Sequence, residues 1–246
     1  MKVSLIDYTG YGTLDPAHHA AAMLIFTKST RLDMKPGLMD EIKGWSDEQM
    51  AKELEYMANT IPSSWEFLHY TFLIEGVTRA FTHQFVRTRT GSYAQQTMRV
   101  LNVEGWKYLV GPSIKEDSDR HNKYAAAMGH IDECYNELIE DGAKIEDARG
   151  ILPTNILTNI VASFNMRTMA EMFRKRESVR TQGEYRDVLA AMKSAMLEVH
   201  PFLSLFFDRD FDVAARELQQ IIVDLKLPTD TYIRMIKMLD QMRAAE

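Results

Sequence analysis

The chain has 246 residues, a formal net charge of −6 and one cysteine. That length supports one domain with a substantial core, the acidic balance argues against a general nucleic-acid surface built on clustered Lys and Arg, and a lone cysteine excludes an intramolecular disulfide framework. With no signal-like start and no apolar run long enough to span a bilayer, the expectation is a cytoplasmic protein with neither a membrane nor a nucleic-acid partner.

Residues 2–8 alternate well enough for an opening strand, and 16–27 read as a helix. Ser46 followed by Glu48 and Gln49 is an N-cap sequence, opening a helix to about residue 59 that Pro62 ends. Phe67, Tyr70, Phe72, Ile74 and Val77 make 66–77 a β-rich candidate for a central strand. A helix from about residue 78 carries His83, Gln84 and Arg87 toward its C-terminal end, and a further strand is expected near 99–109. Between 119 and 140, Tyr124, Met128, Ile131, Tyr135 and Leu138 recur at helical spacing and predict one buried stripe. Cys134 falls inside that stripe, which reads as a core or near-core thiol and not a nucleophile. Residues 157–164 read as a strand and 166–176 as a helix. Pro228 then separates two apolar helical patterns, Leu218, Ile221, Ile222 and Leu225 before it and Tyr232, Ile236, Leu239 and Met242 after it. The expected fold is α+β: one mixed helix and sheet domain over 1–205, with a helical extension over 206–246 packed on the same domain or on a neighbouring subunit. His18 and His19 have no acidic or cysteine partners at metal-site spacing, so no metal is expected.

The stretch from 82 to 99 is a polar island between core-like segments. Arg87, Arg89 and Arg99 can surround one small site, and guanidiniums bind phosphate as planar forks. The amides of Gln84, Gln95 and Gln96 each offer a donor and an acceptor, the mixture that a nucleobase edge requires. The chemistry points to a phosphorylated heterocycle; the bland alternative is a surface salt-bridge cluster. Arg167, Arg174, Arg176 and Arg180 form a second basic group, which alone reads as a solvated patch.

Arg87-Thr88-Arg89 followed by Ser92, Gln95-Gln96-Thr97 and Arg99 resembles the Arg-His-Arg motif of the flavin-dependent thymidylate synthases. His83-Gln84-Phe85-Val86 is similar to the family's approach to that motif. Ala148-Arg149-Gly150-Ile151-Leu152-Pro153 resembles its Ala-Arg-x-x-Leu-Pro segment, Trp65-Glu66-Phe67 its Phe-Glu-His element, and Asn165, Arg167 and Arg176 its later ligand-binding segment. The chain departs at Thr88 (for histidine), Thr97 (for serine), Val100 (for tyrosine), and at Ile61, Phe67 and Arg180, where histidines are usual.

The resemblance implies a homotetramer with shared active sites around FAD, and reductive methylation of a pyrimidine nucleoside monophosphate at uracil carbon five. Methylenetetrahydrofolate would supply the carbon and NADPH the reducing equivalents. It implies that Gln84, Arg87, Gln95, Gln96, Thr97, Arg99, Arg149 and Arg176 bind the nucleotide, and that Ser63, Glu66, Thr88, Arg89, Thr90, Asn165, Arg167 and Arg180 lie near the flavin. In that reading Arg176 stabilises charge developing on the base and Thr97 closes over the reacting edge. No histidine or lysine base neighbours Thr97, so its hydroxyl is not read as a nucleophile. The expected substrate is dUMP. UMP, or nucleotide binding without catalysis, are the alternatives that Thr88 opens, and nucleic-acid binding through the Arg174 to Arg180 patch is a further one.

Overall fold

The computed structural model describes residues 1–30, 35–99, 106–176, 181–207 and 210–245. In chain order they form β1 (Lys2–Tyr8), α1 (Pro16–Ser29), α2 (Leu38–Lys43), α3 (Asp47–Thr60), a 3-10 turn (Pro62–Phe67), β2 (His69–Thr78), α4 (Arg79–Phe85), β3 (Ser92–Gln95), α5 (Pro112–Lys115), α6 (Ser118–Glu140) and α7 (Ile145–Ala148). A 3-10 turn (Arg149–Ile151), β4 (Leu157–Asn165), α8 (Met166–Arg176), α9 (Gly183–Val199), a 3-10 turn (Pro201–Leu203), α10 (Ser204–Phe207), α11 (Asp210–Asp224) and α12 (Thr229–Ala245) complete the fold. Among the described residues the strands make one antiparallel sheet, in the order β1-β2-β4-β3. The fold is α+β, as expected.

Local chemistry explains the element ends. Asp15 caps α1 by accepting from His18 N at 2.9 Å, and Pro16 takes the first turn, where no N–H is needed. Ser46 and Gln49 form a reciprocal capping box on α3, with Asp47 and Glu48 in the first turn favouring the helix dipole. The central strand begins later than its β-rich composition suggests. Pro62 opens a 3-10 turn, Trp65 donates its indole N–H to Met57 O at 3.2 Å, and Glu66 and Phe67 stay in that turn, ahead of β2.

The packing divides into two compact units, Met1–Val3 with Leu73–Ala162, and Ser4–Phe72 with Ser163–Glu246. In the first, Phe81 and Phe85 stack at 4.9 Å inside α4, while Arg79 N and Ala80 N donate to Ile156 O and Thr154 O. On α6 only Met128 and Tyr135 of the expected stripe are buried; Tyr124 and Ile131 are half-buried and Leu138 is exposed. The helix packs on the short α5 and α7, too narrow a surface to seal a full stripe. Trp106–Leu109, the described end of the expected later strand, contributes only an isolated bridge between Tyr108 and Ile156. Residues 100–105 of that expectation lie outside the described residues. A strand that was not expected, β3, lies inside the polar island.

In the second unit α1 is buried through Ala20, Ala21, Ala22, Leu24 and Ile25. Trp65 meets Phe206 edge-on at 5.1 Å, as Phe173 meets Phe207. Methionines 166, 169, 172, 192 and 196 are buried along α8 and α9, where flexible side chains fill irregular gaps. Tyr70 and His200 are fully buried, with the hydroxyl 2.7 Å from Nδ1. The C-terminal hairpin of α11 and α12 is present. Ile222, Ile236 and Leu239 are buried, but Leu218, Ile221, Leu225 and Met242 of the expected apolar faces are exposed.

Candidate active site

Thr78 ends β2 and caps α4, accepting from Phe81 N at 3.0 Å. The helix stops at Phe85. Arg87 N and Thr88 N donate to Gln84 O and Phe85 O, both at 3.2 Å, so Arg87-Thr88-Arg89 sits in the turn after α4, beyond the helix that was expected to carry Arg87. The Tyr93 hydroxyl reaches back from β3 to Thr88 O at 2.7 Å and Phe85 O at 3.1 Å, pinning that turn. Arg87, Arg89 and Thr90 are exposed, and Thr88 and Gln84 half-buried.

β3 is polar yet ordered because its amides are satisfied. Gln95 Nε2 donates to the buried Thr82 hydroxyl at 3.0 Å, which itself donates to Arg79 O at 3.0 Å. Gln96 N donates to Asn159 O at 3.0 Å, and Asn159 Nδ2 stands 3.4 Å from Gln96 Oε1. Arg79 Nη2 donates to Gln96 O at 2.8 Å. The Gln95-Gln96-Thr97 segment is therefore held from β4 and from α4. Thr97 Oγ1 accepts from Arg99 N at 3.1 Å.

Arg79 is the residue that sequence reasoning missed. Its Nε is buried without a hydrogen-bond partner. Burial first, and the Arg149 guanidinium second, hold its pKa below the ordinary arginine value. The neighbouring acid is engaged elsewhere, since Glu146 Oε2 accepts from Arg99 Nε at 3.1 Å and Glu146 O from Arg149 Nε at 3.2 Å. Among the described residues no carboxylate ion-pairs with Arg79. Two like charges held together beside an ordered loop with exposed amides are an anion-binding arrangement. The available signal was slight: an arginine at the first position of a Thr-capped helix, five residues before Gln84.

In the second unit Asn165 ends β4 and caps α8, its Oδ1 accepting from Thr168 N at 2.8 Å. Arg167 Nη1 bonds Glu66 Oε1 at 2.6 Å, and Nε lies 3.6 Å from Glu171 Oε1. Ser63 is exposed on the same 3-10 turn as Glu66. Arg176 ends α8 with its guanidinium 5.5 Å from the Tyr185 ring centre. Of the residues expected at the nucleotide, all but Arg176 belong to the first unit; of those expected at the flavin, Thr88, Arg89 and Thr90 belong to the first and Ser63, Glu66, Asn165 and Arg167 to the second. Arg180 and Val100 lie outside the described residues. Among the described residues no group of His, Cys, Asp and Glu is placed to hold a metal, and no helix is long and apolar enough to cross a membrane.

The family model described as thymidylate synthase complementing protein matches residues 4–202. A flavin-dependent thymidylate synthase of Clostridium tetani is 30% identical over 220 residues, covering 82% of this chain and 85% of that one. One of Sulfurisphaera tokodaii is 32% identical over 208 residues, covering 82% and 76%. One of Pyrococcus abyssi is 39% identical over 127 residues, about half of each chain at 50% and 52%. Matches of this extent show the family, and the chain is an enzyme of the flavin-dependent thymidylate synthase family.

Proposed function

We propose that this enzyme methylates dUMP at carbon five of uracil, taking the carbon from methylenetetrahydrofolate and the reducing equivalents from NADPH. The observation that carries the reading is the pairing of Arg79 with Arg149 beside Arg99 and the fixed Gln95-Gln96-Thr97 segment. A phosphate dianion relieves the repulsion between the two guanidiniums and satisfies donors that have no carboxylate partner among the described residues. The exposed amide of Gln96 is then free to turn from its long contact with Asn159 to a base edge. Gln84, Arg87, Gln95, Thr97 and Arg149 complete the nucleotide set, and Arg176 is assigned to charge developing on the base.

The residues present also fit a flavin dinucleotide. Arg167 offers donors for a diphosphate, Glu66 an acceptor for ribose hydroxyls and Ser63 either role, and both Arg167 and Glu66 remain about half exposed in their ion pair, at 42% and 47%. Thr88, Arg89, Thr90, Asn165 and Arg180 are assigned to the same cofactor. FAD, when bound, supplies the hydride chemistry, which removes the need for a protein nucleophile. The chain's own residues orient the base, exclude water and stabilise negative charge on the pyrimidine carbonyls.

The second reading, methylation of UMP, rests on Thr88: a hydroxyl donates a single hydrogen bond and carries no charge where the motif has an imidazole. We also assign the enzyme to the cytoplasm as a homotetramer. The exposed Leu218, Ile221, Leu225 and Met242 support a neighbouring subunit over the hairpin. Reconstitution tests the flavin assignment. Protein incubated with FAD and passed through gel filtration is expected to stay yellow and to oxidise NADPH; colourless protein after that treatment overturns it.

A further inference from the structure

A cleft of about 420 Å³ runs between α8 and α9, within the range of roughly 300–1,000 Å³ typical of small-molecule sites. Phe173, Arg176, Arg186, Leu189, Lys193 and Leu197 line it. Arg186, Leu189, Lys193 and Leu197 recur at three and four residues and so share one face of α9. Among the described residues that line it, Arg176, Arg186 and Lys193 are cations and none is a carboxylate. Arg186 Nε is buried and has no hydrogen-bond partner, a costly state for a charged donor. Lys193 Nζ lies 6.0 Å from the Phe173 ring centre and 5.9 Å from that of Phe207, so the cationic end passes directly into an aromatic wall.

Such a site takes a molecule with an anionic end and a flat apolar body. A ribose phosphate fits poorly, because its hydroxyls would be left unpaired against Leu189, Ala190 and Leu197. Resting on the reaction proposed above, one participant matches: methylenetetrahydrofolate ends in an aryl ring bearing an amide-linked dicarboxylate. We propose that this cleft holds the benzoylglutamate tail of the carbon donor, with Arg186 and Lys193 on the carboxylates and Phe173, Leu189 and Leu197 against the ring. Arg176, already assigned to the base, lines the same cleft, so the tail site is tested through Arg186 and Lys193.

The test compares calorimetric affinities of tetrahydrofolate and of 6-methyltetrahydropterin, which has the same reduced ring system and no tail. In the FAD-loaded wild type, tetrahydrofolate is expected to bind at least about tenfold more tightly, the scale of one charge-assisted hydrogen bond. Arg186→Gln and Lys193→Gln are each expected to lower that ratio several-fold, and together to bring it close to one, with dUMP affinity and the circular dichroism spectrum unchanged. Lys193→Arg, which keeps the charge, retains the ratio. A ratio unaltered in the double variant overturns the tail site. Methylated dUMP from the wild type alongside an unaltered ratio would leave the reaction standing and remove only this inference. A collapsed ratio without any product would instead remove the reaction and leave an aryl-dicarboxylate site.

Discussion

Arg79 stands half-buried with its Nη2 on Gln96 O, its Nε unpartnered and the Arg149 guanidinium close enough to depress its pKa. Arg79→Gln removes the charge and keeps a donor for the Gln96 carbonyl. The variant is expected to bind dUMP about ten- to a hundredfold more weakly, the scale of roughly 1.5–3 kcal/mol for a hydrogen bond to a charged group, and to melt no earlier than wild type because one repulsion is gone. Calorimetry and thermal melting read both; undiminished dUMP affinity would take Arg79 out of the nucleotide site. The polar island around Gln84, Gln95, Gln96 and Arg99 was legible because its composition breaks sharply with the apolar segments on either side. Arg79 was not, since it lies inside an ordinary helix start and its significance comes from Arg149, seventy residues away.

At the scale of elements, local rules read well and non-local ones did not. Ser46 and Gln49 place the start of α3 because a capping box involves only residues three apart. Ser46→Ala is expected to cost about 1 kcal/mol, seen as a lower midpoint in urea with an unchanged slope. β3 escaped the sequence because Ser92, Tyr93, Ala94 and Gln95 lack apolar alternation, and its order depends on Thr82, Asn159 and the Phe85 and Thr88 carbonyls. The α6 stripe failed for the converse reason: periodicity announces which side chains share a face, and only the available partner surface decides how many of them are sealed. The same holds for the hairpin, where one apolar row is buried and another is exposed.

At the scale of the whole molecule, His200 in the core of the second unit is expected to make stability sensitive to acid. Burial drives the His200 pKa down from 6.5 to about 4, with the backbone of Pro16 and Thr9 offsetting part of that. The folded state thus favours neutral imidazole, and the unfolded chain takes up the proton first. Stability is full above pH 6.5 and falls as pH drops from 6.5 toward 4, by an amount on the order of 3 kcal/mol from this group. Thermal melts across that window are expected to show the decline, with a flatter profile in His200→Gln; an identical slope in the variant would assign the acid sensitivity elsewhere.

The central claim is that the arginines and amides around Thr97 present a pyrimidine nucleotide to reductive methylation. Equal dUMP and UMP, incubated with the enzyme, FAD, NADPH and methylenetetrahydrofolate and resolved by mass spectrometry, test it most directly. The expected result is dUMP converted to its 5-methyl derivative, heavier by one CH2 unit, with UMP unchanged. Methylated UMP alone would move the chain to a ribonucleotide pathway, and no product from either nucleotide with flavin bound would contradict uridylate methylation outright.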